Sequence, residues 1–153
     1  LKLTTSRMTD KYAIEILKWK YDKPYDLYNN VLSGDAIIEL TSNAYKAILS
    51  ENRVVGFYCT GKDAQVPAGN DIDAYEDECL DIGLGMRPDM TGKGFGTAFF
   101  EYILGDVNRE SVKCLRLTVA DFNKRAIRLY EKFGFKTVNE FWRGEMKFIV
   151  MVK

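Results

Sequence analysis

Histidine is missing altogether from these 153 residues. Its absence removes the commonest general base at neutral pH and the commonest nitrogen ligand for a metal ion. Cysteine is scarce: Cys59, Cys79 and Cys114 are odd in number and far apart, with no Cys-x-x-Cys pair. That pattern argues against a zinc site and a disulfide framework, leaves each cysteine as a strand or core residue, and makes a reducing cytoplasm the expected compartment. Net charge is lacking too, since Lys plus Arg and Asp plus Glu each total 22. Without a basic excess the chain is not built as a broad nucleic-acid or anionic-membrane surface, so neither partner is expected. No apolar run approaches the ~18–20 residues that span a bilayer, and no signal-peptide core is expected at the start. There is no internal repeat, low-complexity tract or linker, so residues 1–153 are expected as a single domain.

What is present centres on one stretch, Leu80 to Thr97. Leu80, Ile82, Leu84 and Met86 alternate with Asp81, Gly83, Gly85 and Arg87, a period of two that predicts a strand. Pro88 and Asp89 stop it and start a turn. Gly92, Gly94 and Gly96 follow at every second position, and an apolar run from Ala98 to Leu104 then predicts a helix. Glycines in a strand-to-helix turn let bare backbone approach a ligand closely. The N–H groups and dipole at the helix start favour an anion. The stretch is therefore expected to bind a phosphate.

The surrounding elements are read in order. Leu1 to Met8 is a candidate first strand, with Thr9 or Asp10 capping a short helix. The aromatic segment Trp19 to Tyr28, broken by Pro24, joins it to a second helix opened by Gly34 and Asp35. This segment serves either ordinary core packing or the wall of an acceptor pocket. Ala44 to Leu49 and Val54 to Cys59 form antiparallel strands around Ser50 to Arg53. Lys62 to Glu78 is a long irregular stretch carrying Asp71, Asp73, Glu76, Asp77 and Glu78. It is either a solvated loop or a field that draws a cationic acceptor. Cys114 to Val119 is a strand, expected parallel to Leu80–Met86 through a right-handed helical crossover. Asp121 or Asn123 caps a helix from Lys124 to Phe133 that Gly134 ends. Lys136 to Arg143 and Met146 to Val152 form a hairpin around Gly144.

Two known phosphate loops are excluded by their spacing. Gly92-Lys93 is followed by Gly94, so the Ser or Thr that holds magnesium in a nucleotide P-loop is missing. The glycines run G-x-G-x-G, against the G-x-G-x-x-G of a dinucleotide site. A third pattern fits. Residues Leu84 to Gly96, with Pro88, Gly94 and Gly96, resemble the acyl-CoA motif of the GNAT N-acetyltransferases: Gln/Arg-x-x-Gly-x-Gly/Ala after a strand ending in Val-x-Pro. Thr91 stands where that family usually has Gln or Arg. A second block agrees: Asn123, Ala126, Leu129, Tyr130, Gly134 and Phe135 match the family's Asn-x-x-Ala-x-x-Leu-Tyr-x-x-x-Gly-Phe.

The resemblance implies an α/β fold with a mixed, mostly antiparallel central sheet, a parallel splayed pair and helices on both faces. It implies direct transfer of an acetyl group from acetyl-CoA, as cosubstrate, to a primary amine, either a small cationic amine or a peptide amine, with no metal. Thr91, Gly92, Lys93, Gly94, Phe95, Gly96 and Thr97 are expected on the pyrophosphate, Leu84 and Met86 along the pantetheine, and Asn123 on the cofactor. An N–H near Met86 is the candidate oxyanion donor, and Tyr130 matches the family's general acid; read from helix spacing alone, Tyr130 is a core residue. Asp81 shares strand parity with Gly83 and Gly85 and is the candidate to take the amine's proton, with Glu78 second. The alternative is a non-catalytic acyl-CoA sensor or protein-interaction module on the same fold. A homodimer stays open.

Overall fold

The Thr9 side chain sets the first turn of the chain. In the computed structural model, which describes residues 1–42, 44–107 and 111–153, Thr9 Oγ1 accepts the Tyr12 N–H at 3.2 Å. This cap starts helix α1 (Asp10–Leu17) directly after strand β1 (Thr4–Arg7). The elements that follow are α2 (Gly34–Ser42), β2 (Tyr45–Ser50), β3 (Arg53–Thr60), β4 (Leu80–Met86), α3 (Gly96–Asp106), β5 (Leu115–Ala120), α4 (Lys124–Lys132), β6 (Lys136–Arg143) and β7 (Met146–Val152). The strands form the expected mixed sheet, seven strands in the order β1-β2-β3-β4-β5-β7-β6. Among the described residues β4 pairs with β5 in parallel, in register from Leu80↔Leu115 to Ile82↔Leu117. The ladder therefore covers three residue pairs, although β4 continues to Met86.

Local chemistry accounts for the hairpins. β2 and β3 meet through Glu51 and Asn52, both at positive φ (52° and 64°). A two-residue turn of that hand matches the twist of paired strands. Gly144, at φ 60°, closes the β6–β7 hairpin, which pairs Arg143 with Met146.

The chain's contacts gather into two compact units, Leu1–Cys59 with Leu84–Val107 and Thr60–Gly83 with Asn108–Lys153. In the first, Met8, Ala13, Ile16, Leu17, Trp19, Leu40, Ala47 and Val54 form a buried cluster. Helix α3 packs Phe99 so closely on β3 that a Cβ at Gly56 would come within 2.4 Å of its ring. In the second, Phe141, Val150 and Ala74 are the buried centre, with Tyr75 and Phe148 against them.

Two expectations are corrected here. Cys79 and Cys114 form a disulfide, with Cα atoms 4.6 Å apart. They immediately precede Leu80 and Leu115, which are partners in the parallel ladder, so pairing of the strands puts side by side two thiols that are 35 residues apart. Spacing along the chain does not reveal this. The stretch from Lys62 to Glu78 is also more ordered than expected. It contains 3-10 turns at Gly61–Ala64 and Pro67–Ile72. The Tyr75 hydroxyl accepts the Val66 N–H at 3.0 Å and bonds Thr118 Oγ1 at 2.8 Å.

Candidate active site

In the first unit, β4 runs out through Met86 and Arg87 into a 3-10 turn at Pro88–Met90. Thr91 Oγ1 donates to the Pro88 carbonyl at 2.7 Å, so this hydroxyl locks the turn. Gly92 and Gly94 lie at φ 71° and 85°, a region costly for any residue with a Cβ. Gly92, Lys93 and Gly94 are exposed, and a Cβ at Gly94 would meet nothing within 4 Å. Helix α3 then starts at Gly96 behind Phe95, with no capping side chain. The first-turn N–H groups of a helix need an outside partner. Here a loop of bare backbone leads into them at the positive end of the dipole. Thr97 is exposed in that first turn.

The strand before the loop is held from outside. The Tyr21 hydroxyl donates to the Met86 carbonyl at 2.7 Å, and the Arg87 N–H donates to the Val55 carbonyl at 2.8 Å. Leu84 and Met86 are half-buried. Gly85 does not face open space: a Cβ there would stand 2.5 Å from the Phe57 ring. Its glycine is explained by an aromatic ring lying on the backbone.

In the second unit, Asn123 Oδ1 accepts the Ala126 N–H at 3.1 Å and caps α4. Tyr130 follows on that helix, 8% exposed, its ring centroid 6.4 Å from that of Phe135. Gly134, at φ 92°, turns the chain at the helix end. Asn123 and Tyr130 are thus brought onto one helix.

Asp81 occupies a different setting from the one its strand parity suggests. It is 3% exposed, as is Arg116. Arg116 Nε and Nη2 donate to its two oxygens at 2.7 and 2.8 Å, and Gln65 Nε2 adds a third bond at 2.8 Å. Arg116 also donates to the Asp77 carbonyl at 3.0 Å and lies over the Tyr75 ring. The Asp81 carboxylate is committed to a buried bidentate pair, and the guanidinium is held charged by it, its pKa raised by the hydrogen bond to Asp81. Both oxygens of this carboxylate are engaged by side chains of the same unit, an environment that suits a structural role better than proton transfer. Glu78 is exposed, beside the disulfide, before β4 begins. Among the described residues no group of three or more His, Cys, Asp and Glu gathers to hold a metal ion.

The acetyltransferase (GNAT) family model matches residues 11–135. The chain belongs to the GNAT acetyltransferase family. Solved structures agree in fold. An aminoglycoside acetyltransferase, AAC(6')-Ib in complex with coenzyme A, superposes with a TM-score of 0.74 at 17% identity, over 99% of this chain and 94% of that one. A spermidine N-acetyltransferase SpeG chimera, from Vibrio cholerae and hSSAT, gives 0.72 at 19% identity over 98% and 93%. An N-acetyltransferase from Staphylococcus aureus Mu50 gives 0.68 at 12% identity over 100% and 98%. Comparison with curated proteins gives no match.

Within this GNAT chain, sequence reading missed three participants. Arg116 stood only as a polar position in a strand. Gln65 lay inside a stretch taken as loop. Tyr21 was visible as one of several aromatics between Trp19 and Tyr28, and nothing in its spacing indicated a bond to residue 86.

Proposed function

We propose that this protein is an N-acetyltransferase that moves the acetyl group of acetyl-CoA directly to a primary amine on a cationic acceptor. The observation that carries this reading is the loop from Thr91 to Thr97: exposed glycines at positive φ leading into the start of α3, which no side chain caps, in a chain of the acetyltransferase family. Such a start suits the pyrophosphate of coenzyme A, with Lys93 adding a positive charge. Thr91 contributes shape to the loop in this reading, since its hydroxyl already serves Pro88.

In the proposed reaction the amine nitrogen attacks the thioester carbonyl and a C–N bond forms. The carbonyl oxygen gains the negative charge, which the N–H near Met86 stabilises. The C–S bond then breaks, and the departing thiolate takes a proton from Tyr130. The second proton of the attacking nitrogen leaves through solvent as the amide forms, solvent returning a proton to the Tyr130 phenol. The ammonium form of a lysine-like amine predominates at pH 7; its proton passes to solvent before attack. Asn123 is assigned to the cofactor alongside its capping bond.

The acceptor is proposed as cationic because Asp71, Asp73, Glu76, Asp77 and Glu78 all stand exposed. Aminoglycosides and spermidine, named for two structures of the same fold, are polycations of this kind. The proposed compartment is the cytoplasm, on the ground that acetyl-CoA is available there and not on cysteine usage, since Cys79 and Cys114 are bonded to each other.

The test is thiol release from acetyl-CoA with a panel of amines: spermidine, an aminoglycoside, a lysine peptide and an uncharged amine. Release with the cations supports the reading. Binding of acetyl-CoA by calorimetry without release from any of them indicates a sensor instead. Absence of binding removes both.

A further inference from the structure

We propose that Tyr21 is a positioning residue for acetyl transfer, its hydroxyl pinning the Met86 carbonyl and so fixing the last peptide of β4. The inference rests on the acetyltransferase reading and adds to it a residue outside the family's two motifs.

The Met86–Arg87 peptide is held at both ends. Its carbonyl accepts from Tyr21 at 2.7 Å, and its N–H donates to Val55 at 2.8 Å. The two partners come from different elements, the segment between α1 and α2 and the strand β3. A peptide bonded at both ends cannot swivel between its Cα atoms without giving up a bond. The amide assigned to the developing oxyanion lies one Cα away, at Met86. Its direction therefore depends on how firmly the next peptide is held. Oxyanion donors work by being aimed in advance, not by reorganising during the reaction.

Tyr21 is itself braced. Its N–H donates to Asn29 Oδ1 at 2.6 Å. Its ring meets Tyr28 edge-on at 6.3 Å, and Tyr28 stacks on Tyr25 at 6.5 Å. Two residues earlier Trp19 stacks on Phe57 at 6.3 Å, and Phe57 is the ring that covers Gly85. Residues 19 and 21 thus bear on consecutive positions of β4, one through a ring and one through a hydroxyl. The hydroxyl is also a permanent donor: burial and the neighbouring Tyr28 push its pKa up to about 12.

The test is Tyr21→Phe, which removes one oxygen and keeps the ring. Turnover at saturating substrates should fall about tenfold, less than the ~10²–10³ lost with an oxyanion donor itself, while KM for acetyl-CoA changes by less than roughly threefold. The pH–rate profile should keep its shape from about pH 6 to 9.5, because the hydroxyl does not titrate there. Amide hydrogen exchange at Arg87 should speed up in the variant, a readout that needs no turnover. Tyr28→Leu, which loosens the packing but keeps the hydroxyl, should cost less than Tyr21→Phe. Turnover of Tyr21→Phe within twofold of wild type overturns the proposal. So does a slower variant with unchanged exchange at Arg87, since the loss would not then pass through the peptide. A greater loss in Tyr28→Leu than in Tyr21→Phe overturns it as well. Wild-type protein that binds acetyl-CoA and transfers nothing overturns the proposed function instead, and the exchange at Arg87 still judges the pin.

Discussion

Arg116 grips both carboxylate oxygens of Asp81, at 2.7 and 2.8 Å, with each side chain almost wholly out of water. The two residues are register partners in the parallel ladder. A buried pair of this kind contributes little net stability, yet removing one member strands the other's charge. Asp81→Asn should therefore destabilise the protein by about 3–5 kcal/mol in urea denaturation. Replacing both, Asp81→Leu with Arg116→Met, should recover most of that loss. Under conditions where Asp81→Asn is still folded, its turnover should match wild type. A hundredfold loss there would mark Asp81 as the base.

That residue shows where sequence reading stops. Parity put Asp81 on the same side of its strand as two glycines, and parity is local. What stands opposite is decided by a strand 35 residues further on, whose arginine carries no motif. The same holds for Cys79 and Cys114, which only the β4–β5 pairing brings together, and for Tyr21, which reaches Met86 across 65 positions. Features written in local chemistry were legible. Thr9 and Asn123 cap their helices, each one of the two candidates expected there. Gly134 and Gly144 sit at positive φ where turns were expected, and β6 and β7 have the predicted bounds. The glycine loop was legible for the same reason, since strand, turn and helix start follow one another directly in the chain.

The Cys79–Cys114 disulfide closes a loop across a separation of 35 residues. By the chain-entropy model a loop of that size is worth about 3–4 kcal/mol. Reduction with a neutral dithiol should lower the denaturation midpoint accordingly, and Cys79→Ser with Cys114→Ser should reproduce the shift. Cys59, buried and outside the disulfide, should stay unlabelled by an alkylating reagent until the protein unfolds. A reduced protein as stable as the oxidised one would show that the ladder needs no such link.

Gly94 combines positive φ with open space around the missing Cβ. Gly94→Ala should cost about 1–2 kcal/mol from the left-handed backbone alone. If the loop amides hold the pyrophosphate, the same variant should weaken acetyl-CoA binding in calorimetry by tenfold or more, about 1.4 kcal/mol. Gly105, inside α3 and with equally open surroundings, is the control: Gly105→Ala should leave binding alone. Equal binding by wild type and Gly94→Ala would remove the loop from the cofactor site.

Alkaline titration should place Tyr21 and Tyr58 above the ordinary phenol range. Tyr21 is pushed up to about 12 by burial and Tyr28. Tyr58 is pushed up too, by burial and by its 2.6 Å bond to Asp106. A phenol whose folded pKa exceeds its unfolded value of about 10 contributes stability that is fully present below pH 10. That contribution is lost as pH climbs through the folded value. Ultraviolet titration should therefore show a late phase that Tyr21→Phe and Tyr58→Phe each reduce, and that urea abolishes. Stability of the wild type should begin to fall above about pH 10. A single transition near 10 would contradict both assignments.

Tyr130 is where the acetyl-transfer reading is most exposed to refutation. Its place on α4, 8% exposed with Phe135 beside it, suits a core aromatic as well as an acid. Tyr130→Phe discriminates because it keeps the ring. A core role predicts a small change in stability and none in chemistry. An acid role predicts unchanged acetyl-CoA affinity with turnover lower by about 10²–10⁴, the usual worth of a positioned proton donor. The loss should shrink for a thioester whose leaving thiol has a lower pKa, since a better leaving group needs less protonation. That dependence on the leaving group cannot come from packing. Wild-type turnover in Tyr130→Phe, or a loss indifferent to the thiol, would return Tyr130 to the core and require another proton donor for the departing sulfur.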